Sequence, residues 1–222
     1  MIALLRYQAA LLVRSQRWLA PVILYAVFLG VGVQSGQPVL DSLAYAAAAL
    51  LPVAAWLVRI CAGNEPAAAR GCTAAAVGPA RAHLAALLTA FLATAALGVA
   101  AVLIVTVISD AASTNARIPV PRLPAGAAGL LAMLVSALLG TAVGALTNWP
   151  LLRSAGKAVP AMLLGALLLL VTTGSPAKSV LVDLTTGSRE GAVPVPWAAV
   201  LVALTVAVAA VWPACVLSSR RH

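Results

Sequence analysis

Apolar positions in this chain come in long runs, broken by short polar stretches or by clusters of glycine and proline. Residues 41 to 58, 84 to 109, 123 to 147 and 196 to 217 each hold one charge or none. About 20 helical residues are needed to cross a hydrocarbon slab about 30 Å thick, and runs of this length meet that demand. In hydrocarbon the backbone must satisfy its own amides, so each run is expected to cross as a helix. The pattern predicts an all-α, polytopic fold with six transmembrane helices at about 18–34, 41–60, 84–108, 123–146, 155–172 and 197–217.

The connections carry their own signals. Residues 1–17 read as an amphipathic N-terminal helix, with Arg6, Arg14 and Arg17 on one side and Leu4, Leu5, Leu11 and Leu12 on the other. Such a segment either lies on the membrane surface or forms the lower part of the first span. Trp18 and Tyr25 are aromatic residues near the entry half of the first span. Asp41 opens the second span, where a carboxylate can accept from free backbone N–H groups, and Pro52 marks a tolerable kink. Residues 61–83 contain Gly63, Pro66, Gly71, Gly78 and Pro79, which favour short helices and turns over one rod. Thr147 to Pro150 combine a cap, an aromatic and a turn. The segment 173–196 reads as an exposed loop with a short helix at 178–184, and residues 218–222 form a basic tail.

Composition narrows the classes. The chain is 63% hydrophobic and 9% charged, with five acidic residues, too few to surround a soluble core of 222 residues. Its net charge of +9 comes from basic residues scattered at helix ends. A polyanion groove would need them gathered and interleaved with stacking aromatics, so nucleic acid is not an expected partner. Cys61, Cys72 and Cys215 form no CxxC pair, and His83 and His222 are isolated, so no metal site is expected and the thiols read as small packing groups. No short apolar region leads to a cleavage signal before the first span, so Met1 is expected to remain in the mature chain.

Catalytic patterns are equally sparse. Ser154, Ala155, Gly156 and Lys157 faintly resemble the end of a P-loop, but Leu151 stands at the first glycine position and Ala158 replaces the Ser or Thr. There is no HExxH, no Ser and Lys pair inside a span, and no paired acid; no catalytic residue and no bound cofactor are assigned. No Asp, Glu, Lys or His falls near the middle of a span, which argues against proton coupling by this chain alone.

Charge sets the orientation. With both ends on one face, that face holds Arg6, Arg14, Arg17, Arg59, Arg70, Arg81, Arg153, Lys157, Arg220 and Arg221 against the single acid Glu65. The other holds Arg117, Arg122, Lys178 and Arg189 against Asp41, Asp110, Asp183 and Glu190, and is neutral. By the positive-inside rule both termini are expected in the cytoplasm, which requires an even number of crossings. In the fourth span Ala132, Ser136, Gly140 and Gly144 recur every four residues, a small-residue ridge suited to close packing within the chain or between subunits.

Taken together, the basic amphipathic N-terminus, six spans, the structured loop carrying NEPAAARG and VGPARAHLAALL, the short link between spans four and five, and the external segment before span six resemble an ABC-2-type transporter permease. The resemblance covers nearly the whole chain in layout. It implies the membrane-spanning subunit of an ABC exporter in a bacterial inner (plasma) membrane. Its implied partners are membrane lipids, a second permease copy or homologue, and two cytoplasmic ATP-binding subunits that would hold ATP and Mg2+. It further implies that loop 61–83 couples to the ATPase, through Glu65, Arg70 and Arg81. For Glu65, pairing with Arg70 inside the loop is the alternative. A largely apolar interior fits a drug, a hydrophobic peptide or a lipid as cargo. A noncatalytic membrane scaffold fits the same composition.

Overall fold

A computed structural model of the protein describes residues 1–115, 118–148 and 154–220. Among them are helices α1 (Ile2–Ser15), α2 (Leu19–Gly32), α3 (Val39–Gly63), α4 (Ala67–Val77), α5 (Pro79–Ile108), α6 (Arg122–Thr147), α7 (Ala155–Val171), α8 (Pro176–Glu190) and α9 (Trp197–Arg220). No strand occurs among the described residues; the only sheet-like features there are isolated bridges, Pro38 with Asp110 and Ala112 with Pro119. The helices α3, α5, α6 and α9 are each long and apolar enough to cross a membrane. The total rises to six if the bent pairs α1/α2 and α7/α8 each count as one crossing.

The centre of the bundle is the α3/α6 pair. Inside the bundle lies 78% of the apolar window of α6 and 61% of that of α3, against 28% for α5 and 22% for α9. So α3 and α6 face protein, while α5 and α9 present Leu103, Val107, Leu201 and Trp212 outward. The small-residue ridge explains how α3 and α6 come so close. A Cβ on Gly140 would stand 2.6 Å from the Leu51 carbonyl oxygen, and one on Gly144 3.0 Å from that of Ala55. Ala132 and Ser136 are buried on the same helix. Lipid gives apolar helices no incentive to associate, so this backbone approach supplies dispersion contact that bulkier residues would forbid.

Local structure departs from the sequence reading in instructive ways. The helix breaks within Val13 to Arg17, ahead of α2. Gln16 adopts the left-handed conformation, with φ 54°, and α1 meets α2 at 74°. The 14 residues of α2 span only about 21 Å, short of the hydrocarbon thickness. Tyr25 points into the bundle: it is 2% exposed and its hydroxyl donates to the Ala46 carbonyl at 3.1 Å, since an unpaired phenol is costly in an apolar core. Asp41 lies in the first turn of α3 but makes no capping bond; its Oδ2 accepts from Thr114 at 3.0 Å. The loop after α3 does fold into a short helix, α4. Gly78, at φ 88°, ends it, and Pro79, its φ preset, starts α5 five residues before Leu84. The segment 173–196 holds a helix longer than 178–184, because Ser175 caps α8 by accepting from the Ala177 N–H and Gly191 closes it with φ 71°.

Alternating helix directions gather the connections at two ends. At one, Thr114 bonds to Asp41 and to Ser188, and the Val39 N–H donates to the Asp110 carbonyl at 3.0 Å. At the other, α1, α4, the end of α3 and the start of α5 meet. The end of α6 joins them through Arg59, whose Nη1 donates to Asn148 Oδ1 at 3.1 Å. The end of α9 does so through Cys215 and Val216, which line a groove with Ala80.

Candidate functional site

The corner where α1, α3, α4 and α5 meet is built around Glu65. Asn64 closes α3 in helical geometry and Pro66, extended, starts α4, so the chain folds back and leaves Glu65 in the bend. Asn64 Nδ2 donates to the Leu11 carbonyl at 3.0 Å, fixing α1 against the bend. Glu65 is buried, and so is Gln8. Three side chains supply the carboxylate with donors: the Tyr7 hydroxyl at 3.1 Å, Gln8 Nε2 at 3.4 Å and the Thr73 hydroxyl at 3.0 Å. The Thr73 hydroxyl has one proton and also lies near the Ala69 and Arg70 carbonyls, so it serves one acceptor at a time. Burial, and the negative Glu65 beside it, push the Tyr7 phenol above its ordinary range, so it stays protonated and donating.

Arg70 reaches the same corner. Its Nη2 donates to the backbone carbonyl of Glu65 at 3.0 Å and lies 3.5 Å from that of Ala62. A cavity of about 20 Å³ lies among Cys61, Glu65, Arg70 and His83, room for about one water molecule. Arg81 is brought to the same region but to another surface: it lines a groove of about 400 Å³ between α1 and α4 with Met1, Leu4, Tyr7, Thr73 and Val77. Loop 61–83 and the N-terminal helix therefore form one packed unit. The sequence reading missed Tyr7, Gln8 and Thr73. A clue was present, since Glu65 is the only acid in a basic neighbourhood and a buried carboxylate needs donors.

The remaining basic residues divide by environment. Arg6, Arg14, Arg17 and Lys157 are exposed. Arg59 is half-buried and tied to Asn148, whose Nδ2 in turn donates to the Gly144 carbonyl at 2.7 Å. Arg153, Arg221 and the side chain of Arg220 lie outside the described residues, as do Arg117, Trp149 and Pro150. No group of three or more metal-ligating side chains occurs among the described residues.

Fold and site together define an all-α protein with four to six helices long and apolar enough to cross a membrane, carrying a polar corner at one end. No protein-family model, no curated protein and no solved structure matches the chain.

Proposed function

We propose that the chain is the membrane-spanning subunit of an ATP-driven transporter of the ABC-2 permease type, exporting a hydrophobic or amphipathic substrate. In this reading α3, α5, α6 and α9 cross a plasma membrane, and α2 and α7, each shorter than the hydrocarbon thickness, complete six crossings where the bilayer thins around them. The Glu65 corner and both termini face the cytoplasm, where the basic excess belongs by the positive-inside rule. ATP and Mg2+ are held by a separate cytoplasmic subunit, two copies of which serve a pair of permeases. The permease breaks no bonds. It supplies a path and a mechanical link between two states that both partner and substrate bias.

The observation that carries the reading is the union of α1 and α4 through Glu65. A push delivered to a helix on a loose loop would be absorbed there. Here α1 and α4 each bond to Glu65 in the bend and each pack on α5, so displacement of α4 is transmitted to crossing helices. Glu65 then acts as a positioning residue for the coupling surface, with Arg70 bracing the bend and Arg81 exposed beside α4.

Purification of the native complex in mild detergent tests the proposal. One ATP-binding subunit is expected per permease, with substrate-stimulated hydrolysis. Absence of such a subunit, together with absence of ATPase activity, overturns it and leaves the scaffold reading. Within an assembled transporter, Glu65→Lys is expected to uncouple ATP use from transport while membrane insertion persists. Unchanged transport removes Glu65 from the role.

A further inference from the structure

The outer side of α1 carries a feature that holds for a transporter and a scaffold alike. Its inner stripe, Leu4, Leu5, Gln8, Leu11 and Leu12, faces the bundle and is at least half-buried. Around the rest of the helix the surroundings differ by direction. On the Tyr7 flank stands α4, joined to α1 through the Glu65 bonds, with the groove that Arg81 lines between them. On the other flank Leu12 and Val13 line an apolar crevice of about 300 Å³ with Trp18, Leu57, Ala93 and Leu97, residues of the crossing helices and of the break that precedes α2. At about 100° per residue, Ile2 and Val13 point within about 20° of each other, and Arg6 lies about 40° further round toward Arg14. Ile2 and Val13 are 71% and 64% exposed, an arrangement unfavourable for a helix bathed in water.

These directions fix the depth of the helix. The crevice flank belongs to hydrocarbon, and the exposed Arg6 and Arg14 lie between it and the groove that Arg81 lines, which sets them at the level of lipid headgroups. The 74° bend before α2 lays α1 across the axis of the helix that follows. Arg14 and Arg17 bracket the crevice in sequence, each next to one of its lining residues, Val13 and Trp18. Arg6, Arg14 and Arg17 are exposed, and no carboxylate is bonded to them among the described residues. The only acid on this face, Glu65, is buried and occupied by other donors.

We infer that α1 and the crevice beneath it bind an anionic phospholipid, its phosphate held by Arg14 and Arg17 and one acyl chain lodged among Val13, Trp18, Leu57 and Leu97, while Arg6, about 12 Å along the helix, attracts the neighbouring anionic headgroups. An acidic protein would satisfy the arginines but would leave the crevice unfilled. A neutral lipid would fill the crevice but leave the arginines unpaired. Each basic residue near an anionic surface strengthens attachment about fivefold, so three together give about a hundredfold preference.

The test uses the full chain in nanodiscs of phosphatidylcholine, with or without phosphatidylglycerol. Lipids retained on release are counted by native mass spectrometry, and amide exchange is followed over residues 2–18. Phosphatidylglycerol is expected to be retained over phosphatidylcholine and to slow exchange in α1 about tenfold or more. R6Q/R14Q/R17Q should remove both effects, whereas R6K/R14K/R17K should keep most of them. Leu97→Trp, which fills the crevice and leaves the charges intact, should lower retention. Equal retention of the two lipids, preference surviving in the glutamine variant, or displacement by inorganic phosphate alone would each overturn the assignment.

Discussion

The two ends of the bundle are held shut by different means. At the Glu65 corner one buried carboxylate gathers side-chain donors from α1 and α4, so the junction converges on a single residue. At the opposite end the bonds are mostly backbone to backbone: Val39 to Asp110, Asp110 to Gln37, Thr114 to Ser188, Ser113 to Ile118 and Val120 to Ala111, all between 2.9 and 3.0 Å. Side chains only supplement this clasp. If the Thr114 hydroxyl donates to Asp41, the Ser188 hydroxyl must donate to Thr114, since each has one proton. A convergent junction fails as a unit when its centre is changed; a distributed one loses strength bond by bond.

Removal of the centre should have the largest effect. Glu65→Ala leaves the buried Gln8 amide stranded and takes the acceptor from Tyr7, while the Thr73 hydroxyl turns to the Ala69 or Arg70 carbonyl, a loss of about 3 kcal/mol. Amide exchange across residues 2–15 and 67–77 should rise together, with the clasp at 109–115 unchanged. The corner would not be convergent if α1 loosened while α4 stayed protected. Tyr7→Phe alone is worth about 1 kcal/mol. Added to Glu65→Ala it should cost almost nothing further, because its acceptor is already gone.

At the other end, Gly191→Ala should come next. Gly191 sits at φ 71°, and an added Cβ would stand 2.8 Å from the Ile118 Cβ. Left-handed strain and the required shift of Ile118 sum to about 2 kcal/mol. Exchange should rise in α8 and in residues 109–115 and stop there, so combination with Glu65→Ala should be additive in thermal unfolding. A strong interaction between the two changes would mean that the ends communicate through the bundle.

How much of this was legible in the sequence follows the physics of each feature. The long uncharged runs of α3, α5, α6 and α9 were readable because hydrocarbon imposes length and composition together. The ridge of Ala132, Ser136, Gly140 and Gly144 was readable as a packing surface, but its partner was not, since spacing names no neighbour. Its two glycines abut Leu51 and Ala55 of α3. The break at Gln16 was hidden because a left-handed glutamine has no composition signal; only glycine advertises that conformation. The partner of Tyr25 was hidden for a related reason: an aromatic near a span's entry has the same local pattern whether it faces headgroups or a buried carbonyl. The Glu65 corner was half legible. Its acid stood out by charge, but Tyr7 and Gln8 lie 58 and 57 residues away along the chain, beyond any local pattern.

Asp41 is the most sensitive control on the comparison, because by charge alone it is the counterpart of Glu65 at the opposite end of the bundle. Its carboxylate is only half-buried and accepts one side-chain bond, from Thr114. In Asp41→Asn the amide oxygen can still accept from Thr114, so what is lost is mainly the attraction between a negative charge and the start of α3, about 0.5 kcal/mol. Backbone bonds from Val39 and Thr114 hold the clasp in its place. The expected result is a change in melting temperature near the limit of detection, with exchange at 109–115 rising at most about twofold and protection in α1 and α4 untouched. A collapse of the clasp in this isosteric variant would show that this end, too, hangs on one carboxylate. The contrast between convergent and distributed junctions would then be gone.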